Sequence, residues 1–192
     1  MTGHTFRFVT GVALAATLGV AATLGLSARA TARPGVDWPQ FRGIRASGVS
    51  EGFPLPTSWD AAAGKEIAWT TPIPGLGLSS PIVWGESLCV STAISGQKDA
   101  SMKVGLYGDV KPVTDDTEHE WRIYCLDKRS GAVRWQTTVT RAVPHVKRHT
   151  KSTHASSTLA TDGERLIVSC RFPTAPRRKG PEFRTEKVLP AV

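Results

Sequence analysis

The sequence predicts an all-β fold: a partial β-propeller of four-stranded antiparallel blades, about two of them, behind an N-terminal signal helix. Three observations carry this. Gly and Pro recur too often between residues 33 and 169 for long helices. The apolar runs there are short, rich in β-branched residues and separated by turn residues. Two stretches of the chain also resemble each other, and repetition of a strand–turn–strand unit marks a propeller or solenoid, whose repeats bury their faces only against neighbours.

The chain has 192 residues, 24 Lys+Arg against 16 Asp+Glu, and 40% hydrophobic residues. These proportions belong to a globular protein and exclude wholesale disorder. The net charge of +8 invites a nucleic-acid reading, but its distribution argues against one. Residues 33–169 carry 16 basic and 14 acidic residues, so the excess sits at the two ends. A nucleic-acid-binding fold should carry its positive face on the folded part.

Arg7 is the only charge before an apolar run over residues 8–26, and small residues follow at Ala28, Ala30 and Ala32. That order is the n-region, h-region and A-x-A site of a secretory signal, which places residues 1–32 in a signal peptide cleaved after Ala30 or Ala32. The alternative is a retained anchor, since 19 residues approach the span of a bilayer core. Only then would the protein meet a membrane directly. Either way the remainder is expected to be periplasmic or secreted.

Strands are expected over residues 67–71, 80–84, 88–93, 121–126, 133–139, 156–160 and 165–169. In the two copies Trp69 matches Trp135, Ser79-Ser80 matches Ser156-Ser157, and Gly85 to Ser91 matches Gly163 to Ser169. The second copy holds 12 extra residues around 143–153, and a further insertion spans 95–120; both belong on loops. Asp127 to Gly131 reads as a hairpin turn, because Asp bonds its own backbone two residues on and Gly takes the positive φ. Asp162-Gly163 reads as another. Trp69 and Trp135 each present a flat surface able to wedge between neighbouring sheets. Trp69, Asp127, Gly131, Trp135 and Gly163 are therefore the landmarks of the repeat.

Residues 123–139, IYCLDKRSGAVRWQTTV, resemble the blade motif of the PQQ-like β-propeller repeat family. Residues 37–60, DWPQFRGIRASGVSEGFPLPTSWD, resemble the segment that precedes the first blade in exported bacterial members, and residues 154–169 resemble its inner strands. The resemblance covers roughly residues 37–169 and implies a propeller. It does not by itself transfer chemistry. Quinoprotein dehydrogenases of this superfamily bind pyrroloquinoline quinone (PQQ) and calcium, whereas many relatives keep the propeller and bind neither. A quinone site needs a stacking Trp, an Arg and carboxylates on a hard cation, and no spacing here singles out such a set. No catalytic residue and no metal site is assigned, and no cofactor is expected. The first expectation is an exported non-catalytic scaffold that binds proteins of the cell envelope. The alternative is a fragment of a PQQ-dependent quinoprotein oxidoreductase, with PQQ and calcium as its cofactors.

Two other clusters are weighed and set aside. His145, His149 and His154 have spacings that a helix would turn toward zinc, but Arg141, Lys147, Arg148 and Lys151 repel a cation. The run reads as a solvated basic loop, with an anionic ligand as the alternative. Glu118, His119 and Glu120 are adjacent, so on a strand they alternate faces and do not converge. Of three cysteines, Cys89 and Cys125 fall on expected strands and are bridged only if those strands are neighbours. From Cys170 onward the sequence has four Pro, six basic residues and no Trp. Residues 170–192 are therefore expected to be a disordered or aberrant basic tail on a propeller cut short, since a closed ring needs about 4–8 blades.

Overall fold

The structure is a computed structural model that describes residues 30–52, 54–97, 101–102, 112–170 and 185–190. The expected signal helix lies outside these residues. Among them the chain is all-β apart from one 3-10 turn, Ile44–Ala46. Seven strands form: β1 (Ile82–Trp84), β2 (Ser87–Ser95), β3 (His119–Asp127), β4 (Val133–Ala142), β5 (Ala160–Thr161), β6 (Arg165–Cys170) and β7 (Thr185–Pro190).

The first four make one antiparallel sheet in sequence order, β1-β2-β3-β4, and the last three a second, β5-β6-β7. Each strand of the first sheet pairs with the next in sequence, so each connection is a hairpin rather than a crossover. Tight turns close two of them and one in the second sheet. Gly85 has φ 56° in the β1–β2 turn, Gly131 has φ 72° between β3 and β4, and Gly163 has φ 92° between β5 and β6. The Asp127 carboxylate accepts the Arg129 and Ser130 backbone N–H groups at 3.0 and 2.9 Å. Asp162 does the same for Glu164 and Arg165 at 3.0 and 2.8 Å. These carboxylates satisfy turn donors that no strand reaches.

The core lies between the two sheets. Ile82 of β1, Trp121, Ile123 and Cys125 of β3, and Leu166 and Val168 of β6 are buried in one cluster with Leu159. Alternation decides which side chains enter it. Leu166 and Val168 are buried, while Ile167 between them is exposed.

The residues before β1 tie the sheets together. Trp38 and Val83 exchange two backbone hydrogen bonds, at 2.7 and 2.9 Å, and the Thr161 N–H donates to the Pro39 carbonyl at 2.9 Å. The two similar serine segments abut: Leu78 and Ser79 N–H both donate to the Ala155 carbonyl, and the Ser80 N–H donates to the Thr158 hydroxyl.

Two departures from the sequence expectation have physical causes. Residues 67–71 form no strand. No strand lies beside them among the described residues, and the segment is held instead by Trp69 and Thr71, which bond to the Lys128 and Gly131 carbonyls at 3.0 and 2.6 Å. Residues 185–190, inside the segment read as a disordered or aberrant tail, form β7 and pair along the whole of β6. The segment has five backbone donors before Pro190, enough to extend a ladder, and Pro190 stands at its last position.

Candidate functional site

The β2–β3 register sets Cys89 directly opposite Cys125, with Cα atoms 4.1 Å apart and a disulfide between them. The bridge forms one wall of a cavity of about 210 Å³ between the two sheets. Trp84, Arg134, Trp135 and Gly163 also line it. Arg134 donates to the Ser87 hydroxyl at 3.1 Å. Trp135 faces Cys125 across the β3–β4 ladder, is half-buried and packs on the edge of the core. Trp69 is likewise half-buried. Trp135 thus lines the space between the sheets, whereas Trp69 lies against the β3–β4 turn.

A second site is polar and almost fully enclosed. Asp115, Thr117 and His119 gather on the approach to β3, with Asp115 and His119 buried and Thr117 exposed. His119 is 2% exposed. Its Nδ1 faces the Thr117 carbonyl at 3.0 Å and its Nε2 faces Asp115 Oδ2 at 3.4 Å. Both partners are hydrogen-bond acceptors. Asp115 Oδ2 accepts the Ser95 hydroxyl at 2.6 Å, and Oδ1 accepts the Thr117 hydroxyl at 2.6 Å. Burial opposes the charge on Asp115, but the hydrogen bonds from Ser95 and Thr117 and the nearby His119 outweigh it and hold the carboxyl below its ordinary value.

His154 stands edge-on to His119 with ring centroids 5.0 Å apart, and its carbonyl accepts the Trp121 indole N–H at 3.0 Å. Burial, then the charges of His119 and Arg148, push His154 down to about 4 from the usual 6.5. Arg148 is itself buried and donates to the Ser152 and Ser101 carbonyls at 3.3 and 2.8 Å. The Asp115 carboxylate, the His119 ring, the neutral His154 imidazole and the Arg148 guanidinium therefore sit together beneath a loop. Its small cavity of about 20 Å³, also lined by Gly75 and Thr153, has room for about one water.

This arrangement corrects the reading of the run that holds His145, His149 and His154 as a solvated basic loop, because Arg148 and His154 turn inward. No helix forms there, so the spacing of His145 and His149 creates no common face. Among the described residues no group of three or more His, Cys, Asp or Glu is arranged to hold a metal. Glu120, on the opposite face of β3 from His119, gathers Arg122, Arg141 and the Thr138 hydroxyl. His119 itself is buried. The signal for this cluster was the closeness of Asp115 and His119 in sequence.

The remaining landmarks mark close approaches. A Cβ on Gly131 would overlap the Trp69 indole, and one on Gly163 would overlap the Trp84 indole. Ala30 is exposed and Ala32 half-buried. Compared with known proteins, the chain matches no family model, no curated protein and no solved structure.

Proposed function

We propose that the chain is an exported, non-catalytic scaffold, part of a longer β-propeller, whose loops and open strand edges bind proteins of the cell envelope. One observation carries this reading. The segment over residues 54–68 is exposed throughout and presents Leu55 at 73% and Trp59 at 67%. The extended residues that follow carry the Trp69 landmark with no strand beside them among the described residues. Large apolar side chains next to unpaired backbone favour strand addition or docking. Two sheets in succession, each a meander in sequence order, agree with neighbouring blades. The cross-strand disulfide agrees with an oxidising compartment.

The test is site-specific photocrosslinking from Leu55 and Trp59 in the exported protein. Discrete adducts with envelope proteins are expected. Adducts that do not exceed those from an exposed control such as Glu164 overturn the scaffold reading. The alternative, a fragment of a PQQ-dependent oxidoreductase, predicts calcium-dependent binding of the quinone in a titration, and such binding replaces the scaffold reading. Nucleic-acid binding, which falls steeply with salt, is expected to be absent.

A further inference from the structure

Asp37 is the most enclosed carboxylate near the start of the described chain, with its side chain 2% exposed. Its Oδ1 accepts the Gly85 N–H at 2.8 Å, which fastens it to the β1–β2 turn. Its Oδ2 accepts the main-chain N–H of Arg33 at 2.8 Å and the Arg33 Nε at 3.1 Å. The intervening turn makes this possible. Pro34 fixes one φ, Gly35 takes φ 72°, and the Val36 and Asp37 N–H groups return to the Arg33 carbonyl at 3.1 and 2.9 Å. The result is a closed loop that aims a buried carboxylate at one particular backbone nitrogen.

That nitrogen belongs to one of the two scissile bonds that the A-x-A pattern offers. Ala30 and Ala32 are the small residues for cleavage between Ala32 and Arg33. We propose that hydrolysis of the Ala32–Arg33 bond creates an α-ammonium at Arg33 that pairs with the buried Asp37 carboxylate and locks the N-terminal segment onto the β1–β2 turn. The inference rests on the export reading above and selects between its two sites.

The chemistry is peptide hydrolysis by an envelope endopeptidase with water as co-reactant. The bond from the Ala32 carbonyl carbon to the Arg33 nitrogen breaks. Water supplies hydroxyl to the carbon and a proton to the nitrogen. The proton of the new acid then passes to the amine, leaving the Ala32 carboxylate on the released leader and an ammonium on Arg33. Before cleavage this nitrogen offers Asp37 one neutral hydrogen bond; afterwards it offers a charged one, which is roughly twice as strong. The Arg33 side chain, 60% exposed, already pairs with Asp37 at 3.1 Å, so the ammonium adds a main-chain charge to an existing ion pair. Cleavage after Ala30 leaves the new ammonium on Thr31, which is exposed, and keeps the main-chain contact from Arg33 to Asp37 neutral.

The groups that act on the new ammonium are Asp37, the Arg33 guanidinium and Glu86, which lies close enough to act on that guanidinium. Asp37 dominates by contact. A carboxylate at this distance raises the α-amino pKa above its ordinary value of about 7.7–8.0. The stabilisation is therefore complete below that ordinary value and is lost as pH rises through the raised one.

The experiment uses the full-length gene product exported by its host. Mass spectrometry of the terminal peptide is expected to find Arg33. Acylation of its α-amine at pH 8 is expected to run about fivefold slower than in the same protein denatured, since one unit added to a pKa of about 7.7–8.0 cuts the free-amine fraction at that pH about fivefold. Asp37→Asn is expected to restore the fast rate. Should that variant fail to fold, the rate–pH profile of the wild-type amine serves instead, with a midpoint above 8 expected. Retention of Met1 overturns the export reading and the lock together. Thr31 at the terminus leaves export standing and overturns the lock. Arg33 at the terminus with fast labelling, with equally slow labelling in Asp37→Asn, or with an ordinary midpoint also overturns the lock alone.

Discussion

The indole of Trp69 lies over Gly131 in the β3–β4 turn, where it fills the space that any Cβ would need. Its Nε1 donates to the Lys128 carbonyl at 3.0 Å, and Thr71 donates to the Gly131 carbonyl at 2.6 Å. Gly131 also has φ 72°, which favours glycine on conformational grounds alone. Trp84 and Gly163 repeat the relationship between the β1–β2 and β5–β6 turns. The same pair of residue types thus fixes the turns of both sheets.

Gly131→Ala is expected to destabilise the protein by about 2–4 kcal/mol, from left-handed backbone strain plus the collision with Trp69. Urea denaturation measures it. In the double variant Trp69→Ala/Gly131→Ala the collision disappears, so the measured loss is expected to be smaller than the sum of the single losses.

Breaking the disulfide with Cys89→Ser/Cys125→Ser is expected to cost about 3–4 kcal/mol on the loop-closure account, for a separation of 36 residues. Thermal melts under oxidising conditions compare the two proteins. A strong reductant should move the wild type toward the variant and leave the variant unchanged.

Acid should loosen the loop over residues 143–155 through His154. Its folded pKa of about 4 lies below the ordinary 6.5, so the unfolded state binds more protons between those values. The stability is present above about 6.5 and is lost progressively as pH falls toward 4. Limited proteolysis at Lys147 and Lys151 across this range should report the opening. His154→Phe keeps an aromatic edge against His119 and is expected to flatten the dependence over that window. What remains should be the steeper loss at lower pH, as carboxylates such as Asp115 are protonated.

Asp115→Ala is expected to cost about 1–3 kcal/mol, since it strips a partner from the buried His119 ring. The Ser95 and Thr117 hydroxyls lose their acceptor as well. The His119 side-chain resonances in NMR should shift even where the fold persists, and that shift separates loss of the pair from general loosening.

Much of the sheet was legible because strands announce themselves locally. The expected runs at 80–84, 88–93, 121–126, 133–139 and 165–169 each overlap an observed strand, and the Asp–Gly turns between them follow from the chemistry of those residues. Residues 67–71 had the same local character and formed no strand, because a strand needs a neighbour that composition cannot supply. The polar cluster was hidden for a related reason. Asp115 and His119 are close in sequence, but Ser95, Arg148 and His154 arrive from distant segments.

By itself, then, the sequence determined that the chain is all-β, where most strands lie and which residues turn the corners, since these depend on side-chain branching, alternation and glycine's freedom over a few residues. Tertiary structure alone decided that Cys89 meets Cys125, that Arg148 and His154 turn inward, and that the Asp37 carboxylate is aimed at the Arg33 nitrogen. Each of these depends on strand register or on the closing of a loop. Register is a choice among pairings that local sequence leaves nearly equal, and the burial of a shared core selects one of them.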